Sequence, residues 1–147
     1  MADTASLAIL AAEFNEPLVA RMIAAAADEL RLAGATLSRT VKVPGSYEIP
    51  VIADLLLSHE AIDALVVLGY IERGETLHGE VMGHAVHSAL VQLQLTYQKP
   101  VGIGIIGPGA TGEQAEARCE AYARAAARAA FKNWGTLRGL RKELFEG

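Results

Sequence analysis

The sequence predicts an α/β domain in which a parallel sheet carries helices on both faces. Three observations point there. Four strand-like stretches, residues 6–12, 36–43, 62–70 and 100–106, are bounded by turn residues and are too short for helices. A helix-period pattern follows each of them, and strand–helix alternation repeated four times requires right-handed crossovers within one sheet. The run Leu65-Val66-Val67-Leu68-Gly69 is apolar throughout, as a strand covered on both faces must be. At 147 residues the chain is expected to form a single domain over 1–147, long enough to bury a core.

Each element has its own signal. The first strand, SLAILAA, ends at Glu13-Phe14-Asn15. Asn15 is expected to cap the helix that follows, with Glu16 and Pro17 in its first turn, where an acid and a proline are both favoured. Leu18, Val19, Met22, Ile23, Ala26 and Leu30 recur at helical spacing, and Gly34 is placed to end that helix. The second strand stops at Pro44-Gly45. A second helix is expected from Ser46 to Glu48 onward, with Pro50 in its first turn and Ile52, Leu55 and Leu56 buried. After the third strand, Val81, Met82, Ala85, Val86, Ala89, Leu90 and Leu93 line one side of a helix. The fourth strand, PVGIGII, gives way to Gly107-Pro108-Gly109, read as a loop, and Thr111-Gly112-Glu113-Gln114 is a capping box opening an alanine-rich helix. Asn133 to Gly135 is expected to break or bend that helix, and Leu137, Leu140 and Leu144 to dock a last one by a single face.

Composition narrows the function. The net charge of −4 is acidic and modest, which argues against nucleic acid as a partner. No apolar run approaches a membrane span, and Met1-Ala2-Asp3-Thr4 lacks the basic start of a secretory leader. Cys119 stands alone, so no disulfide framework exists and a cytoplasmic location is expected. Yet 52% of residues are apolar and the mean hydropathy is +0.26. With no membrane segment to absorb that excess, subunit interfaces are the expected place for it.

In a parallel sheet every strand-to-helix turn leaves at the same edge, where open α/β sheets hold their ligands. That edge gathers Phe14-Asn15, Gly45-Ser46-Tyr47-Glu48, the segment from Gly69 to His78, and Gly107 to Thr111. The backbone from Gly74 to Thr76 lies at a helix start, where partial positive charge favours an anion, and His78 falls within the first turn. A phosphate site beside an imidazole is the chemistry this suggests. By residue type alone the bland readings stand beside it. His78 could be a helix-start residue without a task, Phe14 a core residue, Glu48 a first-turn acid and Arg118 a solvated helix arginine. Gly45 and Gly74 could serve tight turns alone, and Cys119 reads as packing. Glu80, His84 and His87 share one helical stripe; the spacing could hold a metal, but a solvated polar face is the expectation and no metal site is assigned.

Phe14-Asn15, Val43-Pro44-Gly45-Ser46-Tyr47-Glu48-Ile49-Pro50, Leu68-Gly69 with Arg73-Gly74-Glu75-Thr76-Leu77-His78, and Glu113-Gln114-Ala115-Glu116-Ala117-Arg118 resemble, in order, the sequence blocks of the lumazine synthase family. The Gly107-Pro108-Gly109 loop and Tyr122-Ala123 are more similar to its archaeal branch. The resemblance implies a flavodoxin-like three-layer α/β/α sandwich with sheet order 2-1-3-4. It implies condensation of 5-amino-6-(D-ribitylamino)uracil with 3,4-dihydroxy-2-butanone 4-phosphate to 6,7-dimethyl-8-ribityllumazine, in riboflavin biosynthesis and without a cofactor. An imine forms, phosphate leaves and the ring closes.

The resemblance also assigns roles. Phe14, beside Asn15, stacks on the pyrimidine; Gly45, Ser46, Tyr47 and Glu48 hold the ring and ribityl chain, with backbone at Ile71 and Glu72. Gly74, Glu75 and Thr76 meet the phosphate, His78 moves protons, and Arg118 pairs with phosphate from a neighbouring subunit. Ile103 stands where the bacterial branch has an aromatic that closes the pocket from the neighbour. Tyr122 and Ala126 replace lysines of that branch, and Gly79 replaces its usual aromatic or acid. The implied assembly is a pentamer or a multiple of pentamers, up to an icosahedral shell, with sites between subunits. The Glu80/His84/His87 stripe would line its central channel. Two alternatives share the scaffold: an archaeal-type riboflavin synthase, and a non-catalytic flavin-binding or shell-forming protein.

Overall fold

The computed structural model describes residues 4–146; Met1 to Asp3, used above against a leader, lie outside the described residues. The elements alternate as β1 (Ser6–Ala12), α1 (Glu16–Ala33), β2 (Thr36–Val43), a 3₁₀ turn (Ser46–Glu48), α2 (Ile49–Ser58), β3 (Ala64–Glu72), α3 (His78–Tyr97), β4 (Val101–Ala110) and α4 (Gly112–Arg141), closed by a π-helical turn (Lys142–Glu146). The four strands form one parallel sheet in the order β2-β1-β3-β4, as expected. Side chains alternate across it. Leu7, Ile9, Val66, Leu68 and Tyr70 pack under α1 and α4, while Ala8, Leu10, Leu65 and Val67 pack under α2 and α3. The central strands β1 and β3 are covered on both faces, which their unbroken apolar runs anticipate.

The α4 side is close-packed because one wall has no side chains. Gly102 and Gly104 of β4 face the helix, and a Cβ built on Gly102 would lie 1.9 Å from the Ala126 carbonyl oxygen. Opposite stands a ridge of Ala115, Cys119, Ala123, Ala126, Ala127 and Ala130, all buried. Cys119 is thus a packing residue. Gly34 ends α1 in the left-handed conformation at φ 80°, its N–H donating to Arg31 O at 3.1 Å while Ala35 N donates to Leu30 O at 3.0 Å. The capping box at α4 is present in both directions. Gln114 N donates to Thr111 Oγ1 at 3.2 Å and Thr111 N donates to Gln114 Oε1 at 3.0 Å.

Several expectations are corrected. Asn15 occupies the N-cap of α1 in the left-handed region and its side chain makes no cap hydrogen bond; its carbonyl accepts Val19 N at 3.1 Å instead. In α2 the buried residues are Ile49, Ala53 and Leu57, and Leu55 is 67% exposed. Ile52 and Leu56, also expected to be buried, are partly buried against the same core. Along α3, Gly83, Val86 and Leu90 are the buried residues, while Val81 is 59% exposed. Gly107-Pro108-Gly109 is not a free loop. β4 continues through it, with a cis Gly107–Pro108 peptide, and Ala110 pairs again with Glu72 beyond a ladder irregularity. No break occurs at Asn133 to Gly135. Phe131 and Trp134 pack against the core there, and Arg138 lies 5.3 Å from the Trp134 ring centroid, which outweighs the roughly 1 kcal/mol cost of one helical glycine. Leu140 and Leu144, expected to dock, are exposed.

Candidate active site

A cleft of about 460 Å³ opens at the carboxyl edge of the sheet. Phe14 from the β1–α1 turn forms one wall, and Pro44, Gly45, Ser46 and Glu48 a second. The end of β3 gives Tyr70, Ile71 and Glu72 to its floor, and Gly74, Thr76, His78, Gly79 and Met82 complete it from the start of α3. Three turns distant in sequence therefore meet around one space; the fourth expected there, Gly107 to Thr111, does not line it, and its Pro108 and Gly109 border a neighbouring depression.

Local packing explains each position. Phe14 is 48% exposed and tilts at 40° against Tyr70, with ring centroids 6.1 Å apart, inside the range of favourable aromatic pairs. Ser46 is buried where the strand below it has no side chain: a Cβ on Gly69 would stand 3.7 Å from Ser46 Oγ and 3.4 Å from Ala12 Cβ. Gly45 leaves the space beside the Glu48 carboxylate open, since a Cβ there would approach Oε1 to 3.3 Å. Tyr47 is not in the cleft lining but meets the His78 ring edge-on, centroids 6.0 Å apart.

His78 is the first residue of α3, one turn later than the cradle at Gly74 to Thr76, and Leu77 occupies the N-cap position. Thr76 Oγ1 accepts the His78 N–H at 3.3 Å, so this hydroxyl replaces the absent side-chain cap and fixes the imidazole's backbone. Gly79 and Gly83 let the Pro108 segment lie directly on the helix; a Cβ at Gly83 would come within 2.6 Å of Pro108 Cδ. Glu75 faces a second depression of about 410 Å³, on the other side of the same loop, shared with Arg73, Glu80, Pro108 and Gly109. Among the described residues no carboxylate lies within ion-pair distance of Arg73, contrary to the pairing with Glu72 or Glu75 that its sequence neighbours suggest.

Besides Tyr47 and Glu75, three more anticipated residues lie outside the cleft. Asn15 is exposed at the top of α1. Ile103 sits mid-strand in β4 opposite Val67, packed among the side chains under α2 and α3. Arg118 is exposed on α4 and donates from Nη1 to Gln114 O of its own helix at 3.2 Å. Along α3, His84 is exposed, and His87 Nδ1 stands 2.7 Å from Gly83 O, paired within its own helix.

Tyr70, Pro44 and Met82 line the cleft and were not singled out from the sequence. Tyr70 donates its hydroxyl to Ala110 O at 3.2 Å. Burial, with the Glu72 carboxylate nearby, pushes its phenol above the ordinary value, so it remains a neutral donor at physiological pH. The signal for it was present: a phenol in an otherwise apolar strand needs a hydrogen-bond acceptor. In sum the cleft offers an aromatic face, a carboxylate with a buried hydroxyl beside it, a backbone loop at a helix start and an imidazole.

A family model described as 6,7-dimethyl-8-ribityllumazine synthase matches residues 4–138. Three archaeal proteins that bear the same name are similar over most of their length. The one from Aeropyrum pernix is 40% identical over 131 residues, covering 88% of this chain and 89% of its own. That from Metallosphaera sedula is 42% identical over 126 residues (86% and 83%), and that from Staphylothermus marinus 38% over 143 residues (97% and 95%).

Proposed function

The chain belongs to the 6,7-dimethyl-8-ribityllumazine synthase family, and on that premise we propose that its cleft condenses 5-amino-6-(D-ribitylamino)uracil with 3,4-dihydroxy-2-butanone 4-phosphate. The observation that carries this reading is the convergence of Phe14, Ser46, Glu48, Thr76 and His78 on one cavity. Phe14 stacks on the pyrimidine. Ser46 and Glu48, with the backbone of Ile71 and Glu72, take the polar ring edge and the ribityl hydroxyls. The segment Gly74 to Thr76 receives the phosphate through its backbone, since the Glu75 carboxylate repels an anion and Glu75 is not among the residues that line the cleft.

The chemistry then needs proton transfer and position. The primary amine adds to the ketone carbonyl and water leaves as the imine forms. Loss of inorganic phosphate and attack by the ribityl-bearing nitrogen close the second ring, with a further water released. His78, at the cavity edge beside the phosphate loop, carries protons between these steps, as imidazole does near neutral pH. Holding the two reactants together contributes much of the acceleration.

The assembly is a pentamer or a multiple of pentamers in the cytoplasm. Arg118, exposed and away from its own cleft, completes the site of an adjacent protomer, whereas Ile103 is packed against its own core under α2 and α3. Exposed apolar residues on α2 and α3, Val51, Leu55, Val81, Val91 and Leu95, are the kind of surface such contacts cover.

The test is direct. Purified protein mixed with both substrates is followed by lumazine absorbance and phosphate release. Equal amounts of both products are expected; binding of either substrate with no turnover rejects the enzyme reading.

A further inference from the structure

Tyr70 touches more of the cleft's framework than its place at the end of a strand suggests. Its side chain is only 2% exposed, and its ring backs Phe14. Its hydroxyl donates to the carbonyl of Ala110, which also accepts Arg73 N at 3.0 Å, so both lone pairs of one oxygen are used. Arg73 is where the chain leaves β3 for the Gly74 to Thr76 segment. Thr111, the next residue after Ala110, is the N-cap of α4. The regular β3–β4 ladder is interrupted between Tyr70 and Glu72, so at this point a side-chain hydroxyl supplements the backbone pairing.

From these contacts we infer that Tyr70 is a positioning residue that couples the two halves of the cleft, its ring fixing the aromatic wall and its hydroxyl fixing the phosphate-side loop. The inference rests on the reading above in assigning a heteroaromatic ring to the first half and a phosphate to the second. It makes the two halves separable by mutation, because ring and hydroxyl act on different neighbours. Tyr70→Phe keeps the support under Phe14 and frees the Ala110 carbonyl from one donor. Tyr70→Leu removes both.

The experiment measures two affinities and one reaction. Inorganic phosphate is titrated by calorimetry and 6,7-dimethyl-8-ribityllumazine by its fluorescence, on wild type, Y70F and Y70L, each checked for folding by thermal melting. Loss of one hydrogen bond predicts phosphate binding about fivefold weaker in Y70F, with lumazine affinity changed less than about twofold. Y70L weakens both. In turnover, Y70F raises KM for the phosphorylated ketone and leaves KM for the amine near wild type. Y70F with unchanged phosphate affinity overturns the inference, as does Y70F weakening both ligands equally or wild type binding no phosphate. Wild type that binds both ligands and shows this split, yet forms no lumazine, rejects the enzyme reading and upholds the role of Tyr70.

Discussion

Beside the cleft, single atoms decide what its backbone can do. Gly107 holds φ +92°, and a Cβ there would stand 2.2 Å from the Ile71 carbonyl oxygen. Gly107→Ala therefore meets both a disfavoured conformation and a backbone clash, and is expected to cost about 3 kcal/mol in urea unfolding, with weakened substrate binding because Ile71 lies in the cleft floor. His78 makes a different demand. Its backbone is held by Thr76 and its ring meets Tyr47, so His78→Ala is expected to leave the fold intact and to remove the imidazole proposed to carry protons. We expect kcat to fall about 10²-fold with KM for either substrate little changed; an equal rise in KM with constant kcat would instead assign His78 to binding. At this scale residue type alone left His78, Phe14 and Glu48 open to bland readings, and the family resemblance is what marked them as candidates; Phe14, Glu48 and His78 do line one cleft. Neither marked Tyr70, whose acceptor lies 40 residues away.

At the scale of elements, local signals were legible and pairing was not. The Thr111 capping box and the Gly34 stop hold because each follows from nearby residues, and the parallel sheet follows from the alternation itself; its order, 2-1-3-4, came from the family resemblance. The end of β4 was misread because its continuation depends on Glu72 meeting Ala110, a register that no local pattern encodes. Thr111→Ala tests how much the cap matters: loss of about 1 kcal/mol, and a melting temperature lower by roughly 3 °C, are expected in thermal unfolding. The α1–α4 contact adds a pH dependence. Asp28 accepts Arg31 Nη2 at 2.8 Å and lies 3.0 Å from Arg124 Nη2, and these cations hold its carboxyl below the usual carboxylate range. A carboxylate with a lowered folded pKa stabilises above its unfolded pKa and loses that contribution as pH falls through the folded one. Asp28→Asn should therefore flatten the stability curve below about pH 4 and leave the curve's shape at neutral pH unchanged, read from urea midpoints across that range. The effect is small because the pair is solvated.

For the whole molecule, the 52% apolar content is reconciled with a chain of this size by what the sheet leaves outside. Both faces of the sheet are covered within the protomer, yet α2 and α3 still present Val51, Leu55, Val81, Val91 and Leu95 outward. Arg118 is exposed on α4 and is not among the residues that line its own cleft. If each active site takes His78 from one protomer and Arg118 from the next, two inactive variants can repair each other. Subunits of His78→Ala and Arg118→Ala, dissociated, mixed in equal amounts and reassembled, would place an intact His78 beside an intact Arg118 at about one quarter of the interfaces, the statistical share for random neighbours in a closed ring. Activity recovering toward that fraction of wild type is the expected result. If Arg118 instead served the cleft of its own chain, every protomer would carry one lesion and the mixture would stay as inactive as its components. Light scattering on the same samples distinguishes failed reassembly from failed complementation, so a particle of wild-type mass with no recovered activity would remove Arg118 from the neighbouring site.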